Sequence, residues 1–157
     1  MTCTPLRITA WCALLGLLAA CGGGKPPPAE SSSPSRITAA PAISALDIVD
    51  LQPGGGAAVA AGQTAVVQYT GWLYETSAKD HKGREFDSSR NTGRPFRFVV
   101  GTGNVIKGWD QGVLRMKVGG HRRLIIPADL AYGDVGAGDV IPPGATLVFD
   151  VELVAIE

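Results

Sequence analysis

Length, composition and charge place the chain among ordinary globular proteins. It has 157 residues, 45% of them hydrophobic, and its 14 Lys+Arg balance its 14 Asp+Glu, for a formal net charge of zero. Such a chain suits one domain with appendages and can pack a core without metals or disulfides. Balanced charge argues against a nucleic-acid partner, which favours a clustered basic face. His81 and His121 lie far apart, with no Cys or carboxylate cluster at metal-ligand spacing, so we predict no metal site and no cofactor.

The three cysteines stand near the start of the chain, at Cys3, Cys12 and Cys21. Because none follows Cys21, a disulfide framework and a cysteine nucleophile are both excluded for the later part.

Residues 1–21 are typical of a secretory signal. Arg7 precedes an uncharged run, Ile8 to Ala20, that is rich in Leu and Ala and ends at Cys21. As a helix this run would extend only about 20 Å, against about 30 Å for a bilayer core, so a membrane-spanning anchor is the weaker interpretation.

The segment Leu18-Ala19-Ala20-Cys21 resembles the lipobox of bacterial lipoproteins, whose cysteine is acylated and becomes the first mature residue. The alternative is an ordinary signal peptide cleaved near Ala20, with Cys21 incidental. Several acyl chains would hold the protein firmly, at about 0.8 kcal/mol for each buried methylene. Since Gly22 and not Asp follows the cysteine, the resemblance implies an exported lipoprotein on the periplasmic face of the outer membrane or the cell surface.

Residues 22–43 form a predicted linker. They are rich in Gly, Pro, Ser and Ala and include Pro26–Pro28 and Ser31–Ser33. This composition predicts a flexible tether with a stiffer polyproline piece, although tolerated filler is an open alternative. The folded domain is predicted over 44–157.

Alternating apolar and polar residues predict strands within this domain. The clearest patterns run over 65–73 and 147–153, with shorter candidates at 124–126 and 95–100. One buried and one wetter face indicate an antiparallel sheet.

One helix is predicted in the domain. Its apolar residues recur at spacings of four, four and three: Val105, Trp109, Val113 and Met116. Gly108 and Gly112 each weaken a helix by roughly 1 kcal/mol relative to alanine, so this helix should depend on close packing against the sheet. A single helix on an antiparallel sheet is an α+β architecture.

A series of motifs follows in order: Val67-Gln68-Tyr69-Thr70-Gly71, Phe86-Asp87-Ser88-Ser89-Arg90, Pro95-Phe96-Arg97-Phe98, Gly101-Thr102-Gly103, Val105-Ile106-Lys107-Gly108-Trp109-Asp110, Ala131-Tyr132-Gly133, Ile141-Pro142-Pro143 and 145–153. Together they resemble the FKBP family of peptidyl-prolyl isomerases, over about residues 44–157. The resemblance implies a twisted antiparallel β-sheet wrapped around one short α-helix, with an apolar cleft between them.

The same resemblance implies the residues of the site: Tyr69, Phe86, Asp87, Phe96, Val105, Ile106, Trp109, Tyr132, Ile141 and Phe149. Trp109 would form the floor, and Asp87 would be the one charged group. The Tyr132 hydroxyl and the Ile106 backbone N–H would donate hydrogen bonds to carbonyls of a proline-containing polypeptide. Macrolide inhibitors are implied as further ligands.

Chemistry supports this assignment without the family name. Rotation about an amide costs about 18–20 kcal/mol, and no bond to the peptide has to form or break, so a nucleophile is unnecessary. A dry aromatic pocket favours the less dipolar, twisted amide.

Simpler interpretations stay open for single residues. Asp87 beside Ser88-Ser89 also fits a turn, Tyr132-Gly133 a turn with an exposed phenol, and Phe98 the core. The stretch Leu73 to Arg84 is interpreted as a solvated loop or a partner-binding loop. Ala137 stands where small family members often have a histidine, which weakens the expectation of macrolide binding.

Three functions are therefore compared. The first is an isomerase acting as a monomer on exported proteins, and the second is a lipoprotein module that binds proline-containing segments with incidental turnover. A purely structural lipoprotein would leave a complete aromatic cleft without a use.

Overall fold

A computed structural model describes residues 43–157 of the chain. The predicted signal peptide, the lipidation at Cys21 and nearly all of the linker lie outside these residues. The strands are β1 (Asp47–Gln52), β2 (Thr64–Tyr74), β3 (Lys82–Ser88), β4 (Phe96–Val99), β5 (His121–Ile126) and β6 (Leu147–Ile156). The helices are α1 (Ser89–Thr92) and α2 (Lys107–Gly112), with 3-10 turns at Lys79–His81 and Ala128–Leu130. Among 43–157, no helix is long and apolar enough to cross a bilayer.

All strands pair antiparallel in one sheet, in the order β1-β5-β6-β2-β3. Two strands pair along the same edge of the long strand β2: β4 pairs with its first part and β3 with its second part. The predicted strands are present as β2, β4, β5 and β6, and the α+β class with an antiparallel sheet is confirmed.

The core lies between α2 and the sheet. From the sheet, Leu124, Ile126 and Leu153 are fully buried, and from the segment that includes α2, Trp109 and Val113 join them. Alternation explains this arrangement, because residues two apart in a strand point to the same face.

Close contact between α2 and β5 confirms the expectation from the two helix glycines. A Cβ on Gly108 would lie 2.4 Å from Ile126 Cγ2, and one on Gly112 would lie 2.6 Å from Leu124 Cδ2. Helix and strand therefore meet at a distance that only glycine permits at these positions.

The helix is shorter than the predicted pattern. It ends at Gly112, and Arg115 takes a left-handed φ of 63°, so Met116 lies outside the helix. Met116 is nevertheless buried in the core, and its carbonyl accepts a hydrogen bond from Val59 N–H (2.9 Å) in a neighbouring segment. The apolar spacing identified three core residues, Trp109, Val113 and Met116, but overestimated the helix at both ends, since Val105 precedes it and is only partly buried.

The stretch from Leu73 to Arg84 is not a solvated loop throughout. Its ends belong to β2 and β3, and the Lys79–His81 turn packs back onto the sheet. The His81 ring stacks on Tyr74 with centroids 4.9 Å apart, and Asp80 forms an ion pair with Arg123 of β5 (3.7 Å). Only four residues, 75–78, separate strand from turn.

Candidate active site

A cavity of about 520 Å³ opens between α2 and the sheet. Nine of the ten predicted site residues line it, together with one that was not predicted: Tyr69, Phe86, Asp87, Phe96, Asn104, Val105, Ile106, Trp109, Tyr132 and Phe149. The tenth, Ile141, is not part of the lining and is buried in the core. The structure therefore brings together residues from four strands, α2 and two loops.

Trp109 provides the apolar base of this cavity. It comes from α2 and is only 4% exposed. Tyr69 and Phe149 pack edge-on against it, with ring centroids 5.0 and 5.3 Å away. Such edge-to-face pairs hold rings in fixed orientations and contribute about 0.5–1.5 kcal/mol each beyond burial. The base is thus a rigid aromatic surface.

Gly71 of β2 allows two further rings to meet beside this base. A Cβ at this position would lie 2.8 Å from both Phe86 and Phe149. Without it, the Phe86 and Phe149 rings pack edge-to-face at 5.5 Å. The glycine in the Val67–Gly71 motif therefore has a direct role in shaping the cavity.

Tyr69 and Asp87 form the polar side of the cavity. The Tyr69 hydroxyl donates to Asp87 Oδ2 at 2.5 Å. Burial raises the pKa of Tyr69 well above its usual value, and the hydrogen bond to Asp87 and its charge raise it further. Burial also raises the pKa of Tyr132, with a smaller contribution from Asp87. Both phenols therefore stay protonated and able to donate at neutral pH.

Two buried serines fix the backbone that carries Tyr69. Tyr69 lies between the part of β2 that pairs with β4 and the part that pairs with β3. Its N–H donates to Ser89 Oγ (2.9 Å), and its carbonyl accepts from Ser88 Oγ (3.1 Å). Ser89 Oγ also donates to Gln68 Oε1 (2.5 Å). These side chains take the place of a neighbouring strand, so the Asp87-Ser88-Ser89 segment is more than a turn.

Asp110 orders the loop that leads into α2. Its carboxylate accepts from the N–H groups of Gly101 and Gly103, both at 2.8 Å. The loop then delivers Ile106 as the residue before the helix, where its carbonyl accepts from Trp109 N–H (2.9 Å). Among the described residues the Ile106 N–H has no backbone acceptor, so it is free to donate to a ligand.

Tyr132 lines the cavity from a loop that is fastened at two points. The residue is 40% exposed, consistent with a position at the entrance. Arg84 of β3 donates to the Val140 carbonyl (2.6 Å), and Ala137 and Ile141 exchange two backbone hydrogen bonds. The backbone pair with Ala137 fixes Ile141 so that its side chain is buried in the core and does not line the cavity.

Comparison with known proteins agrees with this geometry. Residues 55–154 match the family model for FKBP-type peptidyl-prolyl cis-trans isomerase. The chain belongs to this family. A relative named FK506-binding protein, from Streptomyces anulatus, is 54% identical over 112 residues, covering 71% of this chain and 86% of its own length.

Two further relatives support the fold and the activity. The peptidyl-prolyl cis-trans isomerase Fkbp12 of Drosophila melanogaster is 44% identical over 71% of this chain and 98% of its own. The crystal structure of AtFKBP13 superposes with a TM-score of 0.63 at 39% identity, covering 74% of this chain and 96% of that one. The protein is accordingly an FKBP-type peptidyl-prolyl isomerase.

Asn104 is the lining residue that sequence reasoning missed in this FKBP domain. It directly precedes Val105-Ile106, in the loop that Asp110 orders. Its position between the Gly101–Gly103 turn and the helix was the available signal, but an Asn beside glycines fits a turn equally well.

Proposed function

We propose that this isomerase rotates the X–Pro bond by non-covalent stabilisation of the twisted amide within the aromatic cavity. The observation that carries the proposal is the composition of the lining: six aromatic side chains, three further apolar or amide side chains and one carboxylate hydrogen-bonded to a phenol. The ten lining residues include no Cys, Ser, Lys or His. Rotation requires no covalent intermediate, and this lining suits that requirement.

The energy needed is within reach of such a pocket. The amide barrier is about 18–20 kcal/mol, and an acceleration of a hundred- to ten-thousandfold requires about 3–5.5 kcal/mol of preferential transition-state binding. A twisted amide has lost its resonance and is less dipolar than the planar form, so an apolar surface around Trp109 favours it.

Two hydrogen-bond donors of the cavity can orient the substrate. The free Ile106 N–H and the protonated Tyr132 hydroxyl belong to residues that line the cavity and are available to donate to peptide carbonyls. Asp87 orients the Tyr69 phenol and gives the wall its negative charge. It is not assigned as a general base, because rotation transfers no proton.

The test is isomerisation of a short X–Pro reporter peptide by the full chain, with and without FK506, the ligand in the names of several relatives. Catalysis that FK506 blocks supports the assignment of the cavity. Catalysis without inhibition supports the enzyme and indicates that the loop around Ala137 excludes this ligand. Absence of catalysis by a folded protein would favour the proline-binding module instead.

A paired substitution assigns the activity to this cavity. Asp87→Ala should reduce kcat/KM several-fold, because it frees the Tyr69 phenol and removes the wall charge. Asp47→Asn, on the edge strand β1, removes a carboxylate outside the cavity and should leave kcat/KM unchanged. Equal activity of both variants would contradict the proposed role of Asp87.

We further propose that the enzyme is an exported lipoprotein, acylated at Cys21 and acting on proline-containing envelope proteins. The sequence supports this through its basic start, its short apolar run and the cysteine that ends it. Expression in a bacterial host followed by membrane fractionation and mass measurement tests it. Cys21→Ser should lose the added acyl mass and the membrane association, and Cys12→Ser should keep both. An unmodified protein with a free Cys21 would contradict the proposal.

A further inference from the structure

A second cavity, of about 210 Å³, lies away from the active site. It is lined by Asp50, Gln52, Pro53, Gly54, Arg115, Met116, Lys117, Gly120 and Arg122 and shares no residue with the first cavity. Its walls come from the end of β1, the start of β5 and the segment after α2. The expected activity uses none of these residues.

Three cationic side chains and one carboxylate line this second cavity. Arg122 and Asp50 neutralise each other through two hydrogen bonds, of 2.6 and 3.2 Å. Within 43–157, Arg115 and Lys117 form no ion pair, so the cavity keeps two uncompensated positive charges. Although the protein has a formal net charge of zero, these two positive charges attract anions to the second cavity.

Arg115 occupies a backbone conformation that normally favours glycine. Its φ is 63°, and its N–H is fixed by a hydrogen bond to the Val59 carbonyl (3.0 Å). A side chain in the left-handed region is strained, because its Cβ approaches the following carbonyl oxygen. Strained residues persist only where the surrounding structure holds them, and they cluster at ligand-binding and catalytic positions. The strain at Arg115 therefore supports a functional role for this lining residue.

The backbone adds a donor to these charges. Gly54 lines the same cavity, and its N–H donates to no backbone carbonyl among the described residues. Guanidinium groups, ammonium groups and free backbone N–H groups together are the donor set that proteins use for phosphate oxygens. We propose that Arg115, Lys117 and the Gly54 N–H form a binding site for a phosphate group, either free or carried by a lipid headgroup.

The first experiment titrates the full chain with inorganic phosphate at constant ionic strength, with chloride as the reference anion, and follows backbone amides by NMR. All proteins carry Cys21→Ser so that no acyl chain contributes. We expect saturable shifts around Gly54 and Arg115, at least a tenfold loss of affinity in Arg115→Gly and in Lys117→Gln, and less than a twofold change in Arg94→Gln. Arg94 is a matched control because it is exposed and lies outside this cavity.

Arg115→Gly separates binding from folding. Glycine adopts a positive φ freely, so this variant should unfold at the same denaturant concentration as the parent or a higher one while losing phosphate. Shifts that do not saturate, that chloride reproduces, or that persist in Arg115→Gly would overturn the proposal.

Vesicles identify the source of the phosphate. The same proteins are sedimented with phosphatidylcholine vesicles with and without phosphatidylglycerol. An increase in bound protein that requires phosphatidylglycerol and is lost in Arg115→Gly assigns a lipid headgroup. Saturable phosphate binding without that increase assigns a soluble phosphate or phosphate ester.

Discussion

At the residue scale, Tyr69 is the residue that most directly links the aromatic and polar sides of the active site. Its ring packs on Trp109, and its hydroxyl donates a hydrogen bond to Asp87. Tyr69→Phe keeps the ring and removes only the hydrogen bond. We expect kcat/KM for an X–Pro peptide to fall roughly tenfold, since a hydrogen bond to a charged group contributes about 1.5–3 kcal/mol and this one is partly exposed.

Tyr74→Phe is the matched control for this substitution, because it removes a phenol oxygen on the same strand outside the cavity. Retention of full activity by Tyr69→Phe would show that catalysis does not depend on the hydrogen bond between Tyr69 and Asp87.

Ser89 controls the same tyrosine through the backbone. Ser89→Ala removes the acceptor of the Tyr69 N–H and the donor to Gln68. Because this leaves partly buried polar groups unpaired, we expect a loss of about 1–3 kcal/mol in the free energy of unfolding, measured by denaturant titration. Ser77→Ala, which removes only a hydrogen bond to Glu75 on the exposed turn, should change stability by less than about 0.5 kcal/mol. Equal stability of the two variants would contradict a structural role for Ser89.

At the scale of elements, the packing of α2 on β5 reverses the usual effect of glycine. Alanine in place of a helix glycine normally stabilises by roughly 1 kcal/mol. Gly108→Ala should instead destabilise by about 1–3 kcal/mol, since its Cβ would meet Ile126 at 2.4 Å and force an overpacked contact.

Gly55→Ala is the control for the packing argument, because nothing lies within 4 Å of its added Cβ and its φ is not in the positive range. Thermal unfolding of both variants distinguishes them. A Gly108→Ala protein as stable as the parent would show that helix and strand can separate without cost.

A charged cluster ties three strands together on the polar face of the sheet. Asp150 of β6 accepts from Arg123 of β5 (2.7 Å) and from Lys82 of β3 (2.5 Å). Burial acts to raise the pKa of Asp150, but the hydrogen bonds and charges of Arg123 and Lys82 outweigh it and lower the pKa below its ordinary value. The ion pairs therefore favour the folded state whenever this carboxylate is ionised.

The sign of the pH dependence follows from that lowered pKa. The stabilisation is complete above the unfolded pKa, about 3.9, and is lost as the pH falls through the lower, folded value. The stability difference between parent and Asp150→Asn should be constant above about pH 5 and shrink below about pH 4. Denaturant titrations across pH 2.5–7 measure it, with Asp47→Asn as the control. A difference that is independent of pH would rule out this linkage.

The strands that sequence reasoning predicted are those that contribute apolar residues to the core. Part of β6 alternates between buried and partly exposed residues, and β2 and β5 each contain a run of three buried apolar residues, so their patterns were visible. β1 is exposed along its whole length and β3 is mostly charged, and neither presents an apolar period. Their places in the sheet come from pairing with β5 and β2, which the local sequence does not encode.

The active site was predictable from motifs because its residues are spaced along the chain in a fixed order. Motifs could not distinguish a residue that lines the cavity from one that supports it. Ile141 was assigned to the lining, but its backbone pairs with Ala137 and its side chain enters the core. That distinction depends on the path of one loop, which tertiary contacts determine.

At the scale of the whole molecule, the described core lies within the part of the chain that carries the site. Its buried cluster runs from Val59 to Leu153, and the active-site lining runs from Tyr69 to Phe149. Stability and catalysis should therefore belong to the same folding unit. A fragment of residues 43–157 contains that unit with its edge strand β1 intact.

We expect this fragment to unfold in urea with the same midpoint and the same slope as the full chain, and to show the same kcat/KM. Equal slopes matter because the slope scales with the surface exposed on unfolding, so a difference would mean that residues before 43 bury surface in the native state. A lower midpoint with unchanged kcat/KM would show that those residues stabilise the domain without taking part in catalysis. A lower kcat/KM at equal stability would instead place part of the substrate-binding surface in them, which contradicts a site confined to the lining residues.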